Sequence, residues 1–186
     1  MIRLSSAVIG ALLLATDPGA GMPSRDAAAS DRSCPAGTQR AGAAPPEGFE
    51  TWCEKPDELP LTRRHGPARA WYDDGGLARA STFVRGRLDG EFWEWHRNGN
   101  PARAGSYRDG EREGTWTLWR ESGSREELCD YLHGARHGRF ATWWPNGQRR
   151  AEGRYCHDLQ CGTWTTWDEE GRELGKIQYE EIRGTP

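Results

Sequence analysis

Gly90-Glu-Phe-Trp-Glu-Trp-His-Arg-Asn-Gly99 (GEFWEWHRNG) is the stretch that decides the fold. Three rings fall within four residues, a composition that suits a short β-strand. Asn98-Gly99 then closes the stretch with a turn signal. Stepping outward by 24 residues recovers the same features. Trp71, Trp95, Trp119, Trp143 and Trp167 keep the step, as do Gly75, Gly99, Gly123, Gly147 and Gly171. Gly66, Gly90, Gly114, Gly138 and Gly162 keep it too. So does an aromatic series, Phe83, Tyr107, Tyr131, Tyr155 and Tyr179. A second series, Phe92, Trp116, Phe140 and Trp164, starts one unit late, with Ala68 in the first. Self-similarity at a fixed step is the signature of a repeat architecture.

Each unit reads as a β-hairpin. Its first turn carries Asp74-Gly75 or the equivalent pair in later units. Pro145 has the right φ for the first central position of a type I turn, so Gly147 becomes the left-handed bulge residue of a three-residue loop. That loop is expected to put the repeated Trp, the repeated Tyr and the series Ser81/Gly105/Cys129/Gly153/Ile177 on one face. Small residues in that series would leave room for rings from neighbouring hairpins. A second turn carries Gly86, Gly110 and Gly134, with Asp158 in the fourth unit. No stretch within the repeats has a helical period. The expected fold is all-β: an elongated, twisted, single-layer antiparallel sheet of five tandem 24-residue hairpins, ten strands in about 45 Å. Neighbour contacts would hold it rather than a central core.

Upstream of the repeats the chain divides into three zones. Residues 1–16 read as a signal peptide: Arg3 is followed by the nine-residue apolar run Ala7–Ala15, too short to span a bilayer. Residues 17–33 are small and polar, a flexible linker. Residues 34–64 hold two cysteines and form an irregular cap segment at the first sheet edge. The repeat domain then occupies 65–186, with units starting near 66, 90, 114, 138 and 162. Glu169, Glu170, Glu173, Glu180 and Glu181 would discourage pairing at the far edge.

Ten Trp and 24 Gly stand out in a chain of 186 residues with only 35 % hydrophobic content. Apolar burial must be local and aromatic. The net charge of −3 disfavours a nucleic-acid partner. Only Lys55 and Lys176 among the 25 basic residues are lysine. Five cysteines fit an oxidising compartment. Cys34–Cys53 and Cys156–Cys161 are the expected disulfides, leaving Cys129. A zinc site is the alternative, but the chain has no C-x-x-C spacing.

The unit G-x-[FW]-x-x-W-x-x-x-G-x₇-[YF]-x-x-G is similar to the MORN-repeat variant found in many bacterial proteins. Gly90, Phe92, Trp95 and Gly99 carry it in full, and the resemblance covers about 66–179. It implies an elongated single-layer sheet used as a binding or scaffolding surface. Some members are antitoxin-like (the YwqK-type group). Ala68 and Asp158 depart from the pattern, and the export signal departs from a cytoplasmic antitoxin.

No catalytic set emerges. His133, His137 and His157 could meet near one sheet edge, but no carboxylate completes a metal set. Cys129 shares its phase with Ser81, Gly105, Gly153 and Ile177, which marks it as a packing residue rather than a nucleophile. Asp73, Asp74, Glu91 and Glu94 scatter over turns and strand surfaces, without the facing pair a glycosidase needs. No cofactor is expected. The aromatic surface is the candidate binding site: Trp71, Trp95, Trp119, Trp143, Trp167, Tyr107, Tyr131 and Tyr155. Trp93 and Trp144 stand out because they break the repeated Trp phase. The expected function is an exported, non-enzymatic protein-interaction or scaffolding module with an unknown protein partner. The alternatives are an antitoxin or immunity-type protein, or lipid or cell-wall glycan binding.

Overall fold

The computed structural model describes residues 24–30 and 33–180. The expected signal peptide, residues 1–16, lies outside them, as do 17–23, 31–32 and 181–186, Glu181 included. Twelve strands form one open antiparallel sheet in chain order. They are β1 (Gln39–Ala43), β2 (Glu50–Glu54), β3 (Arg64–Trp71), β4 (Leu77–Val84), β5 (Arg87–Trp95) and β6 (Pro101–Arg108), then β7 (Glu111–Trp119), β8 (Arg125–Leu132), β9 (Ala135–Trp143), β10 (Arg149–Cys156), β11 (Leu159–Trp167) and β12 (Glu173–Tyr179). Five hairpins, β3–β4 to β11–β12, are the 24-residue units, and every strand pairs with its sequence neighbours.

Two corrections concern the N-terminal part. The segment 34–64 does cover the first edge of the repeats, but as regular strands rather than irregular chain: it contributes β1 and β2, paired to each other and onto β3. The sheet therefore has twelve strands rather than ten. Cys34 and Cys53 stand at disulfide distance, with Cα atoms 5.6 Å apart, and tie the chain before β1 to β2. The span read as a flexible linker contains a helix, α1 (Arg25–Ser30). Ser24 caps it, its hydroxyl accepting from the Ala27 amide at 3.1 Å. Six residues cannot hold a helix alone. Ala28 packs with Leu77 and Trp95, and Arg25 donates to Leu77 O at 2.8 Å.

The three-residue loop forms as expected. The Trp144 amide donates to Gln148 O and the Gly147 amide to Trp144 O, with Gly147 at φ 88°. The expected face assignment does not hold. In every hairpin one further residue (Ala78, Ala102, Glu126, Arg150 or Leu174) is left without an opposite partner at the base of the second strand. This bulge shifts the alternation by one, so the repeated Trp lies on the face opposite the repeated Tyr. One face, the tyrosine face, carries Phe92, Trp116, Phe140 and Trp164 with the repeated tyrosines. The other, the tryptophan face, carries the Trp95 series and α1. The second turns, Arg85-Gly86 to His157-Asp158, hold both residues at positive φ. Asp158 takes the glycine position at φ 66°, beside the Cys156–Cys161 pair whose Cα atoms are 5.9 Å apart.

The tyrosine face packs ring against ring. Tyr107 meets Phe92 and Trp116 edge-on, with centroids 5.3 and 4.9 Å away. Tyr155 meets Phe140 and Trp164 in the same way, both at 5.2 Å. Trp116 is fully buried although no second layer covers it. The small series behaves as expected, because Gly105 lies under the Trp116 ring and Gly153 under the Trp164 ring. A methyl group at either glycine would run into the indole. Gly175, two residues before the series position Ile177, has open space around it. Gly105→Ala and Gly153→Ala should each lower stability by about 1–3 kcal/mol through overpacking, whereas Gly175→Ala should stay within about 0.5 kcal/mol. Urea unfolding midpoints check this, and three equal values would contradict it.

Candidate functional site

The sequence-predicted aromatics fall into different environments. Trp95 and Trp119 are buried, and Tyr155 is buried on the opposite face. Tyr107 and Tyr131 are half-buried within the edge-to-face stack. Arg112 lies over both Trp116 and Tyr131, at 4.7 and 5.2 Å. The tyrosine face is thus tiled by its own rings and arginines.

Trp93 and Trp144 both have structural contacts. Trp93 pairs with Ala80 and packs beside Leu77 and Trp95 near α1. Trp144 donates from Nε1 to Trp167 O at 3.0 Å and lies under Arg150. Its equivalents make the same link to the next unit. Tyr72 donates to Trp95 O at 2.7 Å, His96 Nε2 reaches Trp119 O at 2.9 Å, and Arg120 donates to Trp143 O at 2.8 Å. Four different side chains thus perform one task, which hides the repeat at this position.

What the sequence reading missed lies at the phase of Trp93. Later units carry Thr117, Ala141 and Thr165 there. Without a ring, the tryptophan face has a hollow of about 870 Å³ over β8 to β11. Its floor is a row across four strands: Leu128 pairs with Ala141, Ala141 lies next to the Glu152 position, and Glu152 pairs with Thr165. Leu128, Ala141 and Thr165 are buried. At one end the Trp143 ring is held between Arg125 and Arg149, whose guanidinium carbons lie 5.2 and 4.8 Å from its centroid. At the other end Arg139 pairs in register with Arg154. Arg139 is fixed by Asp130, donating from Nε at 2.9 Å, and by the Thr115 hydroxyl at 3.1 Å.

Burial pushes the Asp130 carboxyl up, but the Arg139 and Thr115 hydrogen bonds outweigh it and hold it below 3.8. Burial pushes the Cys129 thiol up to about 12, so it stays protonated near neutral pH and is a poor nucleophile. Its Sγ contacts Asp130 O at 3.5 Å. The rings of His137 and His157 meet edge-on at 4.7 Å. Among the described residues no group of three His, Cys, Asp or Glu could hold a metal ion.

Fold and hollow together define a single-layer β-repeat protein with a candidate binding groove on its tryptophan face. No protein-family model matches the chain, and no curated protein matches it.

Two predictions follow from these environments. Asp130 stays ionised to lower pH in the fold than in the unfolded chain, where its value is the ordinary 3.8. Its ion pair therefore stabilises the fold above that pH, and the contribution is lost as pH falls through the folded value. Asp130→Asn should lower stability at pH 7 by an amount that shrinks as pH falls below the ordinary 3.8; a constant difference at every pH would contradict this. Non-reducing thiol titration should find one reactive thiol, Cys129, only after unfolding. Rapid labelling of the native protein would contradict its burial.

Proposed function

We propose that this chain is an exported, non-enzymatic protein-interaction module of the MORN-variant type, and that its partner docks on the tryptophan face over β8 to β11. The hollow is the observation that carries this reading. The same face near the first unit receives a short segment of the chain itself, α1, whose Ala28 is packed against Leu77 and Trp95. The later units offer a recess floored by Leu128, Ala141, Glu152 and Thr165, with nothing of the described chain within it.

Two cysteine pairs at disulfide distance support an oxidising destination. No helix among the described residues is long and apolar enough to cross a membrane. The polar groups around the hollow are suited to holding a ligand rather than to proton transfer. Arg139 is engaged by Asp130 and Arg149 by Glu152, and Arg125 and Arg149 also rest on the Trp143 ring.

The test uses a photo-cross-linking residue at the exposed Thr163 position, with Gln160 on the tyrosine face as control. Thr163 should give a discrete protein adduct in cells, and Gln160 should not. Ala141→Trp restores the ring that Trp93 supplies in its own unit, so it should fill the hollow and remove the adduct while thermal stability is retained. Adducts from Gln160 alone, or retention only on liposomes or peptidoglycan, would overturn the reading.

A further inference from the structure

The tyrosine face covers its rings with arginines from within the repeat, and the last unit departs from this. Near the start of each unit's first strand stands the series Arg64, Leu88, Arg112, Arg136 and Gln160. Each position lies 19 residues before the repeated Phe or Tyr of its own unit. The Arg64 guanidinium lies 5.5 Å from the centre of the Phe83 ring, that of Arg112 5.2 Å from Tyr131 and that of Arg136 4.2 Å from Tyr155. In the second unit the position is Leu88, and Phe92 and Trp116 close around Tyr107 instead, at 5.3 and 4.9 Å.

Tyr179 has neither kind of cover. Gln160 is neutral, pairs in register with Tyr155 and hydrogen-bonds with the Tyr155 hydroxyl. Among the described residues no cation lies over Tyr179, and its ring neighbour is Trp164, edge-on at 6.4 Å. A shallow pocket of about 590 Å³ opens at this point, with Tyr155, Gln160, Tyr179 and Glu180 in its lining. Arg136 and Asp158 also line it, but they engage each other at 3.2 Å. Glu180 is exposed and has no ion pair among the described residues. The pocket therefore sets an open ring face beside an uncompensated carboxylate.

These two features select the ligand. The face of a phenol ring attracts a cation. A guanidinium is planar, so it lies flat on the ring and keeps its edge N–H groups for a carboxylate. The third and fourth units supply this group for themselves through Arg112 and Arg136. The fifth has the ring and the space, and lacks the arginine.

We infer that the pocket over Tyr179 is a binding site for an arginine side chain presented by another protein, with the guanidinium on the ring and donating to Glu180. This goes beyond the reading that a partner docks over β8 to β11. The pocket lies on the opposite face, and either site can hold without the other. A photo-cross-linking ring at position 160 would itself fill the pocket, so silence there is expected of this site too.

The probe is a short Gly/Ser peptide with one central arginine, titrated into the intact ¹⁵N-labelled protein and followed by NMR. Its counterpart carries citrulline, which keeps the shape and removes the charge. The arginine peptide should shift the Tyr179 and Glu180 amides saturably, and the citrulline peptide should not. Gln160→Arg supplies the missing group from within, as Arg136 does for Tyr155, so it should abolish binding and raise the thermal midpoint. Tyr179→Phe should bind as the wild type does. Tyr179→Leu should weaken binding about fivefold, the loss of about one exposed cation–π contact. Ala141→Trp, which fills the hollow on the other face, should leave arginine binding unchanged. Equal shifts with citrulline, shifts that avoid Tyr179, or binding that survives Gln160→Arg would overturn the inference. Arg183 lies outside the described residues and is a competing occupant from the chain itself. Binding seen only in Arg183→Gln protein would assign the pocket to Arg183 and overturn the role of another protein.

Discussion

A sheet one layer thick must bury its rings against itself, and the rest of this structure depends on how it does so. Trp116 reaches full burial because Gly105 on the adjacent strand has no side chain, so the indole can lie flat on the backbone. Tyr107, Phe92 and Tyr131 then close around the indole from neighbouring strands. The arrangement recurs at Trp164 over Gly153. Each large ring needs a small residue one strand away, and the 24-residue step delivers both at fixed phases. Stability is therefore distributed along the sheet as a chain of neighbour interactions. Cys129 belongs to this logic. It stands between Trp116 and Phe140 in register, and its buried thiol serves as a small filler.

The second set of links runs along the hairpin tips, and its chemistry is less regular than its geometry. Tyr72, His96, Arg120 and Trp144 each reach the carbonyl of the repeated Trp in the next unit. Asn98 and Asn146 add donations to Glu121 O and Glu169 O, both at 2.6 Å. Only a donor of sufficient reach is required, so four residue types satisfy one position. Departure from the repeat in sequence is thus compatible with a constant role. Trp144 illustrates this, because its ring is a donor arm with an arginine above it.

Much of the architecture was legible in the sequence for a simple reason. Glycines at positive φ and rings at fixed phase tolerate few substitutes, so the period survives in the letters. The loop type followed from Pro145 and Gly147. The face of the repeated Trp did not, because the extra bulge residue at Ala78, Ala102, Glu126, Arg150 and Leu174 has no common residue type. Its conformation needs no glycine, so composition carries no mark of it. Strands β1 and β2 were hidden by prolines and by the absence of the repeat's rings. Helix α1 had a capping Ser24 and three alanines as its signal, but what holds it is docking onto Leu77 and Trp95, a tertiary effect.

The candidate site was legible only in the negative. A search for added residues leads to Trp93, which fills its own unit and packs near α1. The hollow arises where that ring is missing, at Ala141 and Thr165, small residues that draw no notice in a sequence. In a globular core such a deletion would leave a cavity and cost stability. On an open face it leaves a recess that solvent or a ligand can fill. The same step that repeats a scaffold therefore also creates sites, whenever a large residue gives way to a small one beside positions that must keep their charge. Here the neighbours that keep it are the arginines on Trp143 and the Arg139–Asp130 pair. They hold a rim of engaged arginines in place around a floor that the sheet does not need to fill, which separates the requirements of folding from those of binding.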